Sequence, residues 1–476
     1  MNGSPTIIQG GMGVGVSGWQ LAGAVSGLGQ LGVVSGAALD QIFARRLQDG
    51  DPGGHMRRAA AHFPFQELIK RVWKSYYLPN GRAANQPYKT LPMPSKQSHP
   101  KTQILCMVGN FVEVFLAREG HGNPVGINYL EKIQFPHLAS IYGAMLAGVG
   151  YILMGAGIPL KIPDVIDRLI KHEPATYPLT VTGAQDGDDT TIRFDPRAFM
   201  EHDLPELKRP KFMAIVASNT LAAAMVKKTG GRVDGFVVEG PTAGGHNAPP
   251  RGKLQINDSG GVIYGERDTV DLEKMRGLGV PFWLAGGYGS PEKLREAQEA
   301  GAQGVQIGTA FAFCAESGLR ADYKHALLEK AAAGNVGIKT DPLASPTGFP
   351  FKVAHLENTI SEDDVYQART RICDLGYLRE SYKTPAGKIG YRCPSEPVDV
   401  YVAKGGKLED TVGRKCICNA LLSTVGLAQT RKDGSIEPAI VTSGDDLAEI
   451  ERFLPPAGLT YSARDVIAKM TPTRLD

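Results

Sequence analysis

Residues 233–249 read VDGFVVEGPTAGGHNAP, a short apolar stretch running into a turn that carries one histidine, His246. Phe236, Val237 and Val238 lie between glycines, which suits a parallel strand over residues 235–239 buried on both faces. Gly244 and Gly245 allow a bend that a Cβ would obstruct, and Pro249 and Pro250 keep the turn from continuing as a helix. A histidine at the C-terminal end of a parallel strand stands where α/β folds hold their chemistry. Among the residues of these turns, His246 alone exchanges a proton near neutral pH. A lone histidine more often satisfies a loop hydrogen bond, and the rest of the chain has to decide between the two readings.

Two further turns do so. Gly286 and Gly287 end the apolar stretch 281–285, and Gly308 with Thr309 ends residues 304–307. Glycine turns after the seventh and eighth strands are where (β/α)8 barrels bind phosphate through backbone N–H groups. Thr309 adds a hydroxyl donor. This adjacent pair is more specific than the N-terminal glycine string, where Gly13, Gly15 and Gly18 spell GxGxxG with Asp40 about twenty residues on. Taken alone that string is a dinucleotide fingerprint; the later turns favour its rival, a barrel's first strand-to-helix loop packed against a cofactor.

The elements that must position these groups follow from the periodicity. The chain has 476 residues, 42% hydrophobic and 21% charged, with net charge +3, which gives no argument for nucleic acid or an anionic membrane. The N-terminus lacks a signal-peptide pattern, and the most apolar segment, 147–160, is too short and glycine-broken to span a bilayer. A cytoplasmic protein with reduced cysteines is expected. Strands are expected near residues 6–12, 31–39, 151–154, 177–181, 211–217, 235–239, 281–285 and 304–307, and a third early strand at 104–108 or 124–129. Helices are expected at 19–28, 138–147, 163–171, 220–228, 272–278 and 291–300. Such alternation implies a parallel sheet. Residues 40–101 interrupt it with helical stretches and a Pro/Asn/Lys/Ser-rich run, an insertion that either covers a pocket mouth or decorates the outer wall.

IQGGMG (residues 8–13), GIN (126–128), GAGIP (155–159), EGPTAGGH (239–246), AGGYGS (285–290) and QIGTAF (306–311) resemble, in order, the motifs of the nitronate monooxygenase family. This family is also called 2-nitropropane dioxygenase-like and includes FMN-dependent enoyl reductases. The stretch ASPTGFPFK (344–352) is similar to trans-acting enoyl reductases of polyunsaturated fatty acid and polyketide synthesis. The resemblance implies an α/β fold, a (β/α)8 TIM barrel binding FMN over residues 1–340, with a C-terminal extension over 341–476. It implies that Gly10, Gly11 and Met12 line the flavin ring and that Asn128 meets its polar edge or ribityl chain. It further implies that Gly244, Gly286, Gly287, Gln306, Gly308 and Thr309 hold the ribityl phosphate and neighbouring atoms, with Glu239 and Gly245 among the other cofactor contacts. Typical nitronate monooxygenases have a glutamine before the strand's glycine and an acidic residue before AGG; Glu239 and Thr242 stand there instead, nearer the reductase pattern.

The implied activity is FMN-dependent oxidation of small nitronates with O2; the alternative is NAD(P)H-dependent reduction of enoyl thioesters or quinones, and a barrel retaining FMN only as structure is a third reading. Flavin carries the electrons, so the protein must orient the substrate and handle one proton, with His246 the catalytic candidate. A small-molecule or acyl-thioester substrate is expected, and a homodimer is left open. The extension holds Cys373, Cys393, Cys416 and Cys418. Four cysteines so close suit zinc or an iron–sulfur cluster, but the CxxC knuckle is absent and the intervals match no cluster pattern. Ordinary reduced thiols, with no metal, are the expectation. Residues 447–454 and 463–470 are expected to close the chain as amphipathic helices.

Overall fold

The computed structural model describes residues 4–97 and 99–471. Eight parallel strands close into a barrel: β1 (Ile7–Gln9), β2 (Leu31–Ser35), β3 (Val125–Leu130), β4 (Tyr151–Gly155), β5 (Lys211–Val216), β6 (Gly235–Glu239), β7 (Phe282–Ala285) and β8 (Gly304–Ile307). β8 pairs back onto β1 with Ile8 opposite Gln306, which seals the sheet without an edge. Side chains alternate between two environments. Ile8, Leu31, Val33, Tyr151, Leu153, Met213, Val237, Trp283 and Ala285 fill the barrel interior, while Phe236, Val238, Phe282, Leu284 and Val305 face the helical layer. The period of two on a sheet covered on both sides explains why the strands read as unbroken apolar runs. Trp283 Nε1 donates to the Pro5 carbonyl at 2.8 Å and so closes the barrel floor.

The third strand is Val125–Leu130; residues 104–108, its rival candidate, lie inside the helix Pro100–Arg118. That helix starts where the His99 ring accepts from the Lys101 N–H and Pro100 fixes the first turn. It packs on Trp19–Gly27, Leu39–Gln48 and His137–Leu146. Covered on most sides, it is apolar around most of its circumference, and a short window of it cannot be told from a buried strand. Between β2 and this helix come Leu39–Gln48, His55–Ala60 and Gln66–Tyr76, packed on the outer wall through Met56, Phe63, Phe65, Leu68 and Val72.

Residues 177–181, expected as a strand of the parallel series, are not in the barrel: Ala175–Pro178 pairs antiparallel with Thr191–Phe194 outside it, and its side chains alternate between buried and exposed, unlike the wholly buried barrel strands. Beyond β8, the hairpin Ile338–Asp341 with Phe351–Ala354 bridges barrel and extension. The extension has its own core of Ala344, Phe351, Val353, Ile360, Leu378, Ile417, Ala420 and Ile440. Ala463–Met470 is a helix begun by a Ser462/Asp465 capping box. Residues 447–454, expected as an α-helix, instead fall in the 3₁₀-helix Asp445–Phe453; Pro455 and Pro456 directly after it prevent regular helix from continuing. Among the described residues, no helix is long and apolar enough to cross a membrane.

Candidate active site

The C-terminal ends of the strands open into a cavity of about 240 Å³ whose lining includes Gly10, Gly11, Met12, Asn128, Glu239, Gly244, Gly245, His246, Gly286, Gly287, Gln306, Gly308 and Thr309. Every candidate site residue therefore reaches one space. Backbone walls it where side chains would obstruct: a Cβ on Gly11 would fall 2.0 Å from Asn128 Oδ1. Gly286 has φ +90°, and a Cβ there would press on the Gly240 carbonyl and Thr242. Two polar atoms on this wall, Asn128 Oδ1 and Gln306 Oε1, are buried without a hydrogen-bond partner. Buried acceptors are seldom left unpaired, and two that line an apolar cavity fit a ligand that brings N–H or O–H donors to this wall. FMN has such donors in the N3–H of its ring and in its ribityl hydroxyls, so the residues present fit it.

His246 is half-buried and held from several sides. Its Nε2 hydrogen-bonds the Ser345 hydroxyl at 2.7 Å, and its ring meets Phe351 edge-on with centroids 4.8 Å apart. The turn is fixed by Gly245 N–H donating to Thr442 Oγ1 at 2.8 Å, by Lys352 N–H donating to the Gly245 carbonyl and by Asn247 N–H donating to the Pro350 carbonyl. The TGFPFK loop thus acts as the histidine's scaffold. Burial pushes the imidazole pKa well below its usual value, and Lys132 adds to the effect. The ring is neutral at physiological pH, which suits polarising a carbonyl more than standing as a cation beside a nitro anion. Among the described residues Nδ1 has no protein partner, and it is the ring nitrogen left for a substrate.

A second cavity of about 280 Å³ runs outward from the same histidine, between Ile158, Ser218, Arg251 and Tyr264. Both cavities share Ala156, Ile215, Glu239 and His246. Burial pushes the Glu239 carboxyl up to about 7, with Lys132 opposing the shift. Burial likewise pushes Lys132 down to about 7, against the charges of Glu131 and Glu239. The Lys132 Nζ lies over the Phe349 ring at 3.8 Å and has no hydrogen-bond partner. Glu239, poised near neutrality where the two cavities meet, with Lys132 acting on it from behind the wall, marks a candidate functional site. The sequence placed Glu239 among the cofactor contacts and overlooked Lys132, because a lysine after a strand carries no signal of its own burial.

The other overlooked residues come from the extension. Thr442, Ser443, Gly444 and Asp446 line the main cavity beside the β8 turn. The Thr309 hydroxyl, expected to be free for a phosphate, accepts from the Gly444 N–H at 3.1 Å and meets the Asp446 carboxyl, whose pKa burial raises. Ser345 lay within a motif already singled out, whereas nothing in residues 442–446 announced that they would fold over the barrel mouth. Asp40 has no part in the cavity; it accepts a hydrogen bond from the Tyr377 hydroxyl and so ties the extension to the insertion. The N-terminal glycine string is a barrel loop and not a dinucleotide fingerprint.

Residues 195–340 match the family model described as nitronate monooxygenase. The chain is 35% identical over 139 residues to a nitronate monooxygenase of Pseudomonas aeruginosa, covering 29% of this chain and 37% of that one. It is 32% identical over 132 residues to a probable nitronate monooxygenase of Bacillus subtilis, covering 27% and 35%. These matches span little more than a third of the relatives' lengths. The solved structure of FabK from Thermotoga maritima aligns over 98% of this chain and 91% of that one at 15% identity and TM-score 0.47. The matched segment contains β5 to β8, His246 and both late glycine turns, so the similarity to the nitronate monooxygenase family falls on the half of the barrel that carries the candidate site.

Proposed function

We propose that the chain is an FMN-dependent oxidoreductase that reduces enoyl thioesters with a nicotinamide donor. The observation that carries this reading is the pair of confluent cavities meeting at His246 and Glu239. One is walled by glycines, as a flavin requires; the other adds about 280 Å³ of space beyond the histidine, room for a substrate bulkier than a small nitronate. When bound, FMN supplies two-electron hydride exchange. The chain's own residues supply the rest. Asn128 and Gln306 would accept hydrogen bonds from the ring N3–H and the ribityl hydroxyls, and the turns at Gly286 and Gly308 would leave room for the phosphate. His246 Nδ1 donates to the thioester carbonyl and steadies the charge that develops there. Hydride addition at the β-carbon leaves one proton owed to the α-carbon, and Glu239, poised near 7, delivers it. Nitronate oxidation is the second reading, favoured by the match over residues 195–340.

The test is spectroscopic. The yellow protein, mixed anaerobically with NADPH or NADH, should bleach, and an enoyl thioester added next should restore the colour. Bleaching by propyl nitronate with both nicotinamides inert would leave the second reading standing and overturn the first.

The proton assignment gives a pH dependence of definite sign. A carboxyl that must be protonated to act loses activity as pH rises through about 7, so kcat should fall on the alkaline side. Glu239→Gln should lower kcat about a hundredfold at the optimum and remove that limb. Lys132 deprotonates in the same window; a limb that survives in Glu239→Gln would assign it to the lysine and remove Glu239 from the mechanism.

A further inference from the structure

The extension brings its four cysteines to one place. Cys373 lies in the loop after Asp363–Ala368, Cys393 directly follows the strand Ile389–Arg392, and Cys416 and Cys418 stand at the start of the helix Ile417–Thr424. Separate in sequence, all four line a single small cavity. The remaining cysteines, Cys106 and Cys314, are buried in the barrel's core. The four are free thiols.

The Cys416 thiol reaches the Ile372 carbonyl at 3.9 Å. The Asn419 side chain adds a contact from Nδ2 to Cys416 Sγ at 3.6 Å. Thiols accept hydrogen bonds weakly, and an amide donor directed at a buried sulfur suits a thiolate bound to a metal, whose hydrogen bonds set its electronics. Cations stand by as well: Arg379 acts on Cys373 and Arg369 on Cys416, offsetting negative charge that burial would otherwise penalise.

The kind of centre follows from the spread of the ligands. Among the described residues, no three His, Cys, Asp or Glu side chains lie close enough to hold one metal ion. A structural zinc needs four sulfurs about 2.3 Å from a common centre, and that arrangement is absent. Four thiols around one cavity, yet too dispersed for a single ion, fit a polynuclear core whose metals each take one thiolate.

We propose that Cys373, Cys393, Cys416 and Cys418 bind an iron–sulfur cluster. Cys418 lines both this cavity and the main one, so the cluster shares a wall with the candidate flavin site. The significance of that position rests on the FMN reading; the site itself does not, and iron is measured without reference to flavin.

The test uses the full chain, purified anaerobically and reconstituted with ferrous iron and sulfide. Iron and acid-labile sulfide should be bound in equal amounts, about four of each per chain, with an electron paramagnetic resonance signal in either the isolated or the dithionite-reduced protein. Cys418→Ser and Cys373→Ser should each lose more than half of the iron, whereas Cys106→Ala keeps it. Thermal unfolding is recorded for each variant; if a serine variant does not fold, Cys393→Ala takes its place. Stoichiometric zinc in the reconstituted protein, absence of iron from the folded chain, or iron retained in the cysteine variants would overturn the proposal. None of these readings depends on which substrate the flavin site takes.

Discussion

His246→Ala is expected to lower turnover of the enoyl thioester by about a hundredfold or more, the scale of a lost proton-handling or polarising group, while FMN stays bound. The ring touches the cavity from the β6 turn, whereas the space assigned to the phosphate belongs to the β7 and β8 turns, so cofactor and chemistry separate in this variant. Because burial holds the imidazole neutral, its contribution is a hydrogen bond and not a resident positive charge. His246→Asn can still donate one and should recover part of the loss. Ser345→Ala removes the partner at Nε2 and should cost about tenfold by letting the ring turn, with KM less affected than kcat. An alanine variant with unchanged turnover would show that His246 only braces the loop against Phe351 and Ser345. An asparagine variant as inactive as alanine would show that the ring transfers a proton, which Glu239 would then no longer need to supply.

The barrel was legible in the sequence because buried parallel strands leave the same mark wherever they occur: a few apolar residues ended by glycine, followed by a helical stretch. The late turns were legible for a related reason. Gly286 needs a positive φ and a close backbone approach, and only glycine supplies both, so the physical demand is written directly in the residue type. The helix Pro100–Arg118 was ambiguous because complete burial erases the polar face by which a helix is recognised. What stayed hidden depends on contacts between distant segments. Ser345 meets His246 across 99 residues, and Gly444 meets Thr309 across 135. The four cysteines have spacing that matches no ligand pattern, yet the hairpin Glu380–Lys383 with Ile389–Arg392 and the turn before Ile417–Thr424 fold them onto one cavity. Local spacing encodes a site only when one turn builds it; a site assembled from four segments is encoded in the packing.

Gly308→Val should lower flavin affinity by on the order of tenfold or more without unfolding the barrel. Gly308 has φ −104° and ψ −70°, a region open to residues with side chains, so the substitution carries no left-handed strain of the kind Gly286 would suffer. A Cβ there would meet nothing nearer than Met12 Sδ at 3.6 Å, which leaves the turn intact and directs the new side chain into the cavity. That space is the one the phosphate needs. Its neighbour across the turn is Asp446, which touches Thr309 and would repel an anion if ionised; burial raises its pKa and so favours the neutral acid, the form compatible with a phosphate alongside. Equilibrium dialysis of FMN against the folded variant measures the effect, with thermal unfolding as the control for the barrel. If the valine protein keeps FMN at the original affinity, the phosphate does not lie in this corner, and the contact of Thr309 with Gly444 and Asp446 is then a seal between barrel and extension.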